Sequence, residues 1–349
     1  MKVIIRVDAS TEIGIGHVSR CLTLAKKYQE LGNEVMFICR ELVGDCRELI
    51  KSHKFKVLSL PLIEEDIWSY TTENWELDAL QTIEMIPSQK ADLLIVDHYS
   101  LDEKWQKKLA SFVDEILVID DLADRPHYCD YLVDHNDYLN LNERYNKLIP
   151  DFCLPLLGPT YAMLRQEFIV EKGRIKEKKG PVKNILVSFG GSDPTNETLK
   201  VLKALIRFKG LTVHVVVGSS NQYANIIKEC CEKNDNYHYY YQINNMASLI
   251  NQCDIGIGAG GVSTWERCSL GLPSIVVATA ENQLELSENA NQKGIIKYLG
   301  LAESQTTKSW EEETEKFIKN EIQRIKIHKK ALEVIDCLGV ERIVEKTLV

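Results

Sequence analysis

Residues 2–31, KVIIRVDASTEIGIGHVSRCLTLAKKYQEL, contain the pattern that decides the fold. An apolar run at 2–8, typical of a buried strand, is followed by a loop with glycines at positions 14 and 16. Apolar residues then recur at i, i+3 and i+4 spacing, which predicts an amphipathic helix from His17 to Leu31. This strand–loop–helix unit predicts the start of a doubly wound α/β domain.

The same alternation of β-rich and amphipathic segments extends along the chain. In the first half, the strand candidates are 2–8, 34–39, 56–60, 92–97, 116–120 and 130–134. In the second half, they are 184–189, 212–218, 237–242, 254–259 and 273–278. Strands that alternate with helices predict parallel sheets covered by helices. Two such series predict two Rossmann-like domains that face each other across a cleft.

The length of 349 residues and the apolar content of 44% are sufficient for two cores. We expect an N-terminal domain at 1–157, a C-terminal domain at 158–310 and a helical C-terminal segment at 311–349. The charged tail could pack back on the first domain or continue the second.

The net charge of −9 argues against a nucleic-acid partner, so an anionic ligand must be held by backbone amides and helix N-termini. The ten cysteines form no C-x-x-C pairs, which favours reduced thiols over disulfides or a metal site. The chain has neither an apolar run of the ~20 residues that span a bilayer nor a signal-peptide pattern. We therefore expect a cytoplasmic protein without a membrane partner, and its oligomeric state stays open, a monomer included.

The loop after the first strand supplies the first candidate site. Gly14 and Gly16 would let a diphosphate or sugar approach the backbone, although Ser19 replaces the third glycine of the dinucleotide fingerprint, which argues against NAD. His17 is a candidate general base, because the positive end of the helix dipole favours the neutral imidazole. A surface or capping histidine explains its position equally well.

Polar residues also follow two further strands of the first half. The triplet 97–99, Asp-His-Tyr, should emerge at the carboxyl-end rim, where a site role and a structural role are evenly balanced. The pair Asp120-Asp121 could bind a divalent metal or could cap and position loops, and the second is favoured because no further carboxylates cluster nearby. Four other histidines are expected to be structural: His53, His127, His214 and His238.

Two glycine loops mark the second half. At 188–196, Ser192 or Asp193 is a good N-cap and Pro194 fits the first helical position, while Gly190-Gly191 could also hold an anion.

At 258–273, Gly260-Gly261 open a loop and Ser263 starts a helix whose amides and hydroxyls could hold a diphosphate. Glu266 follows Ser263 by three residues, so its spacing favours a capping box over a role in binding both ribose hydroxyls. Residues 281–283 should border the same cleft.

In their order, these blocks resemble the UDP-2,4-diacetamido-2,4,6-trideoxy-β-L-altropyranose hydrolases of pseudaminic-acid biosynthesis, a family with the two-domain GT-B architecture of many glycosyltransferases. The motifs that carry the resemblance cover nearly the whole chain: R-x-DAS (6–10), IGIGHV-x-RC (13–21), DHY (97–99), DDLADRPH (120–127), GP-x-YA-x-LR-x-EF (158–168), SFGGSDP (188–194) and GAGG-x-STWERC-x-LGLP (258–273).

The resemblance implies that His17 activates water for attack at the anomeric carbon, with C–O cleavage and inversion. It places Tyr99 and Asn282 near the reacting sugar or water, and Glu266 on the ribose. The other residues of the expected substrate-binding set are Asp8, Gly14, Gly16, Gly190, Gly191, Asn196, Gly261, Ser263, Thr264 and Gln283. The expected partner is a UDP-sugar, with no metal and no cofactor. The alternatives are a GT-B glycosyltransferase and a non-catalytic UDP-sugar-binding protein.

Overall fold

The computed structural model describes residues 1–10, 13, 15–63, 66–87 and 90–348. Contacts between Cα atoms divide the chain into two compact units. The first unit comprises Met1–Asn136, Asn140–Met163 and Leu338–Val349. The second unit comprises Asp137–Leu139 and Leu164–Cys337.

The first unit contains a seven-stranded parallel sheet. Its strands are β1 (Lys2–Val7), β2 (Glu34–Arg40), β3 (Lys56–Leu60), β4 (Ala91–Asp97), β5 (Val113–Ile119), β6 (Tyr131–Asp134) and β7 (Leu154–Leu157). They lie in the order β3-β2-β1-β4-β5-β6-β7. The order reverses between β1 and β4, so the carboxyl ends of these strands flank a topological switch point, where open α/β sheets bind their ligands.

The described helices that lie between these strands are α1 (Gly16–Glu30), α2 (Arg47–Ser52), α3 (Ile67–Glu73), α4 (Trp75–Met85) and α5 (Glu103–Leu109). The predicted helix over His17–Leu31 is confirmed as α1, shifted by one residue at each end. Its buried face, which includes Val18, Cys21 and Ala25, packs on the core formed with β1 and β2. A short 3-10 turn covers Pro159–Tyr161.

The second unit contains a six-stranded parallel sheet in the order β10-β9-β8-β11-β12-β13. Its strands are β8 (Asn184–Ser188), β9 (Thr212–Val217), β10 (Tyr237–Tyr241), β11 (Ile255–Ala259), β12 (Ser274–Ala278) and β13 (Lys297–Leu301). Its helices are α6 (Gln166–Lys172), α7 (Glu197–Leu205), α8 (Ala224–Glu232), α9 (Met246–Gln252), α10 (Val262–Ser269), α11 (Leu284–Gln292), α12 (Thr307–Lys319) and α13 (Glu321–Val334), with 3-10 turns at Glu281–Gln283 and Ala302–Ser304. This sheet has its switch point between β8 and β11.

The last helix, α14 (Gly339–Thr347), belongs to the first unit, so it takes the first of the two placements that the sequence left open for the tail. Val340 and Ile343 are buried in the core of that unit, and the Tyr28 hydroxyl on α1 lies 2.5 Å from Oγ1 of Thr347. By contrast, α12 joins the core of the second unit through Trp310 and Phe317. None of the helices in the described part of the chain is long and apolar enough to cross a membrane.

The structure contains two strands that the sequence did not predict, β7 and β13, and both are edge strands. Strand β7 has the sequence LPLL, and Pro155 lacks the amide that a central strand would need. Strand β13 is half-buried to exposed along its length, so it shows no buried-strand pattern.

The close packing of α14 predicts that Gly339→Ala strongly lowers the stability of the protein. A Cβ at position 339 would lie 2.4 Å from the Ala162 carbonyl oxygen and 2.5 Å from the Tyr161 carbonyl carbon, so backbone would have to move. We expect the free energy of unfolding, measured by urea denaturation, to fall by about 1–3 kcal/mol. Gly173→Ala is the matched control, because its Cβ would meet only the Val170 oxygen at 3.6 Å. Equal stability of the two variants would contradict this packing.

Candidate functional site

A histidine–aspartate pair lies at the switch point of the first sheet. His17 is in the first turn of α1, and Asp97 is the last residue of β4, the strand beside β1. His17 Nδ1 lies 2.6 Å from Asp97 Oδ1. Because an ionised carboxylate can only accept a hydrogen bond, Nδ1 carries a proton, and in the neutral ring the lone pair is therefore on Nε2. Asp97 therefore orients the ring so that Nε2 is the basic nitrogen.

Arg20 holds Asp97 in place from the next turn of the same helix. Its Nε donates to Asp97 Oδ2 and its Nη2 to Oδ1, both at 2.7 Å, while Nη1 donates to Asp121 Oδ2 at 2.9 Å. Burial by itself would raise the pKa of Asp97, but the charge and hydrogen bonds of Arg20, together with the hydrogen bond from His17, hold this pKa well below its usual range. Asp97 is therefore ionised at neutral pH.

Tyr99 forms one wall beside His17. The two rings meet edge to face, with centroids 4.6 Å apart, and Trp68 packs against the other side of Tyr99 at 5.5 Å. Burial and the neighbouring Asp121 carboxylate, to which the hydroxyl is hydrogen-bonded, raise the pKa of Tyr99. The side chain is thus a neutral phenol, a hydrogen-bond donor as well as an acceptor.

Asp8 lies deeper in the first unit, in a buried ion-pair network. Its Oδ1 accepts hydrogen bonds from Arg6 Nη1 at 2.6 Å and from the Arg40 amide at 2.7 Å. Its Oδ2 faces His98 Nε2 at 3.3 Å, and since His98 Nδ1 accepts from the Ser100 amide, Nε2 carries the proton. Both carboxylate oxygens of Asp8 face protein groups, and they tie together the ends of β1, β2 and β4.

The loop before α1 contains two glycines of the expected substrate-binding set, Gly14 and Gly16. Gly16 opens α1, and a Cβ there would meet no atom of the described residues within 4 Å, so these residues leave the backbone at the start of the helix open. Gly14 lies outside the described residues.

The structure supports the interpretation that the pair Asp120-Asp121 positions loops, because Asp120 Oδ2 accepts a hydrogen bond from the Ala123 amide at 2.8 Å. Within the described chain, no cluster of three or more His, Cys, Asp or Glu residues could hold a metal ion.

The sequence did not single out Arg20 and His135 for this site, and it left the roles of Asp97 and Asp121 open. His135 follows β6 and is buried, and neither of its ring nitrogens has a hydrogen-bond partner among the described residues. Burial and the charge of Arg20 lower its pKa to about 4, so it is neutral. The dipeptide Asp-His occurs at the ends of both β4 and β6, and this repetition is a signal that could have identified Asp97 and His135, but not Arg20.

In the second unit, the loop after β8 differs from its predicted form. Helix α7 begins at Glu197, so the prediction that Pro194 is the first helical residue is wrong. The N-cap residue is Asn196 and not Ser192 or Asp193, although the Asp193 carboxylate accepts hydrogen bonds from the amides of Glu197 at 2.8 Å and Thr198 at 3.0 Å. The chain makes this turn with Asn196 in the left-handed region, at φ +54°. These first amides of α7 are therefore occupied, and the exposed backbone of 190–191 is what remains for an anion.

The loop after β11 presents free amides. Helix α10 begins at Val262 with Gly261, at φ +77°, as its N-cap, and among the described residues no side chain caps it. The favoured capping box between Ser263 and Glu266 is therefore wrong. The Glu266 carboxylate instead accepts from Arg165 Nη2 at 3.3 Å and is partly exposed. The uncapped amides at the start of α10 are available to an anion.

Other predicted residues of the second unit gather at the same loop. Gln283 lies beside the glycine pair, because a Cβ at Gly260 would be 3.2 Å from Gln283 Cβ. Its Oε1 accepts from the Thr279 amide at 3.0 Å, which fixes the side chain. Thr264 is buried in the first turn of α10, and Asn282 is exposed in the 3-10 turn after β12. These residues lie at the carboxyl ends of adjacent strands, β11 and β12.

Comparisons with known proteins agree with this architecture. Residues 184–332 match the glycosyltransferase family 28 C-terminal domain. A UDP-2,4-diacetamido-2,4,6-trideoxy-β-L-altropyranose hydrolase from Campylobacter jejuni is 32% identical over 260 residues, which are 72% of this chain and 82% of that protein. An uncharacterized protein from Methanocaldococcus jannaschii is 30% identical over 302 residues; the match covers 84% of this chain but only 59% of its relative.

Among solved structures, MurG from Acinetobacter baumannii aligns over 99% of both chains with a TM-score of 0.67 and 13% identity. At that identity the likeness concerns the fold alone, and it agrees with the two parallel α/β sheets described above. The degree and extent of the sequence match to the Campylobacter protein go further. This chain is a GT-B enzyme and belongs to the family of the UDP-2,4-diacetamido-2,4,6-trideoxy-β-L-altropyranose hydrolases.

Proposed function

We propose that this enzyme hydrolyses UDP-2,4-diacetamido-2,4,6-trideoxy-β-L-altropyranose to UDP and the free sugar. The observation that carries the proposal is the His17–Asp97 pair at 2.6 Å, which leaves Nε2 as the basic nitrogen. The substrate is the one for which the Campylobacter relative is named. The two lines of support are independent, since the pair follows from geometry and the substrate from sequence similarity.

In the proposed reaction, a water oxygen attacks the anomeric carbon while the bond from this carbon to the diphosphate oxygen breaks. UDP leaves with the bonding electron pair, and the configuration at the carbon inverts. His17 Nε2 takes the proton of the attacking water, and the ionised Asp97 stabilises the imidazolium that forms. Arg20 contributes by keeping Asp97 ionised.

Tyr99 and Asn282 are proposed to contact the reacting sugar or the water. The phenol of Tyr99 is neutral, its ring is held against His17 and its O–H is donated to Asp121, so its oxygen can accept a hydrogen bond from a fixed position. Asn282 is exposed, and its amide offers both a donor and an acceptor. The open backbone at Gly16 is proposed to let the sugar approach α1, and Asp8 supports this region from beneath.

The second unit is proposed to bind the nucleotide. The free amides at the start of α10 would receive the diphosphate, together with the hydroxyl groups of Ser263 and Thr264. The backbone at Gly190, Gly191 and Gly261 and the side chains of Asn196 and Gln283 complete the proposed set. Glu266 would accept hydrogen bonds from the ribose hydroxyls and give up its contact with Arg165. That contact is a partly exposed ion pair, of a kind that contributes little to stability.

Transfer of the sugar to an acceptor other than water is the second candidate, and the match of residues 184–332 to a glycosyltransferase domain favours it. The two candidates differ in one requirement, because a transferase needs an acceptor to release UDP. A non-catalytic binding protein would bind UDP and release none from the UDP-sugar.

Replacement of the base should abolish turnover but not binding. Wild-type protein incubated with the UDP-sugar alone should release one UDP per sugar, whereas His17→Asn should lower kcat by at least ~10²-fold, the usual weight of general-base catalysis. The dissociation constant for UDP should stay unchanged. Absence of UDP release from the wild type without an acceptor would favour transfer, and full activity of His17→Asn would exclude His17 as the base.

Removal of Arg20 should change the pH dependence. Burial then acts on Asp97 without the opposing guanidinium, so the pKa of Asp97 rises. Activity needs the ionised form, so the acid limb of the kcat–pH profile should shift to higher pH in Arg20→Met, and less so in Arg20→Lys, which keeps the charge. Superimposable acid limbs for wild type and Arg20→Met would contradict the assigned role.

Glu266→Ala should weaken UDP binding by about 10-fold, the loss of one or two charge-assisted hydrogen bonds. The control is Glu281→Ala, which removes an exposed carboxylate of the same charge from the neighbouring 3-10 turn. Titration calorimetry with UDP should show the loss only for Glu266→Ala. Unchanged UDP affinity in Glu266→Ala would refute the ribose role.

A further inference from the structure

A buried arginine lies against the loop that precedes α10. Arg267 is only 2% exposed, and its Nη2 donates to the Ala259 carbonyl at 2.7 Å and to Thr264 Oγ1 at 3.3 Å. Ala259 ends β11 and Thr264 lies in the first turn of α10, so the guanidinium contacts both ends of the segment that carries Gly260 and Gly261.

Strand β11 is shaped to accommodate this side chain. Its sequence, IGIGA, places Gly256 and Gly258 on the same face. A Cβ at Gly256 would lie 3.1 Å from Arg267 Cδ, and a Cβ at Gly258 would lie 3.1 Å from Nη1. Glycine weakens a strand interior and commonly marks a close approach of another group. Here the arginine is one of the groups that approach, together with Ser274 Oγ at Gly256 and the Ser188 carbonyl at Gly258.

Arg267 lacks a carboxylate partner in the described chain. Its Nε is buried without any hydrogen-bond partner there, and burial lowers its pKa to about 10. In the first unit, Arg6 and Arg20 are equally buried but pair with carboxylates, and their pKa values are raised. A buried charge without a counter-ion is costly, so this position calls for a negative charge from elsewhere.

We propose that Arg267 is the counter-charge for the diphosphate of UDP, acting through the loop at 259–264. This inference rests on the proposed function, because it takes the diphosphate as the anion that the free amides of α10 receive. The cation lies against the ends of the loop, so its field adds to that of the amides. During C–O cleavage negative charge develops on the diphosphate, and the same cation then stabilises the leaving group.

The alternative is that Arg267 only holds the loop in shape through its two hydrogen bonds. The two roles predict different effects on ligand affinity when the charge of Arg267 is removed. A counter-charge acts on UDP and not on uridine, which lacks the diphosphate, whereas a distorted loop affects stability and both ligands. The two roles also predict different stabilities for the ligand-free variant. If Arg267 is only a counter-charge, its replacement by an apolar side chain should be neutral or stabilising, as is often found for unpaired buried cations.

Arg267→Met tests the inference. Without ligand, its thermal unfolding midpoint should equal or exceed that of the wild type. Its dissociation constant for UDP should rise by at least about 10-fold, the order expected for one charge at a distance of several ångströms. Its affinity for uridine, measured by competition, should stay within about 3-fold of the wild type, and Arg267→Lys should retain most of the UDP affinity.

The matched control is Arg324→Met. Arg324 is also buried in the second unit and also binds backbone carbonyls, those of Phe317 at 3.0 Å and Gly180 at 2.7 Å, but it serves the end of α12. This variant should bind UDP with unchanged affinity, because Arg324 contacts the end of α12 and not the loop at 259–264. If Arg267→Met does not fold, Arg267→Lys and Arg267→Gln are compared, and the lysine variant should bind UDP more tightly.

The measurements distinguish a failure of this inference from a failure of the proposed function. Wild-type protein that neither binds UDP nor releases it from the UDP-sugar would refute the proposed function. Wild-type protein that hydrolyses the UDP-sugar, with Arg267→Met equal to it in UDP affinity, would overturn the counter-charge and leave hydrolysis intact. Equal loss of UDP and uridine affinity would assign Arg267 to loop shape alone.

Discussion

The bidentate ion pair between Arg20 and Asp97 is the interaction on which the first-unit site depends. It joins α1 to the end of β4, and through Asp121 it reaches the segment after β5. Burying a carboxylate is unfavourable unless its oxygens are satisfied, and here Arg20 and His17 satisfy both. The pair therefore keeps Asp97 charged, and the charged Asp97 in turn fixes which nitrogen of His17 is basic.

The two units treat their buried arginines in opposite ways. In the first unit Arg6, Arg20 and Arg40 all meet carboxylates, so the charges beneath the site are balanced by the protein itself. In the second unit Arg267 meets only carbonyl and hydroxyl oxygens. In the proposed reaction this contrast matches the ligands, because water and the sugar are neutral whereas the diphosphate is not. A chain with a net charge of −9 has to create such attraction locally.

Much of the fold could be predicted, because central strands and α1 have clear periodic patterns. The edge strands β7 and β13 were missed, since an edge needs neither full burial nor every amide. The local errors at Pro194 and Glu266 share a cause: a residue with positive φ, Asn196 or Gly261, precedes the helix and sets its start. Asp97 and Arg20 are 77 positions apart, and a single sequence does not reveal that β4 lies beside β1.

Even where a pattern repeats, its chemistry is decided by distant partners. The dipeptide Asp-His ends both β4 and β6, but the two aspartates differ in protonation. Arg20 Nε lies 2.7 Å from Asp97 Oδ2, whereas Arg144 Nε lies 3.4 Å from Asp134 Oδ2. Burial, and then the charge of Asp121, raise the pKa of Asp134 to about 7. The same two residues thus give a permanent carboxylate at one strand end and a titrating acid at the other, and the position of one arginine makes the difference.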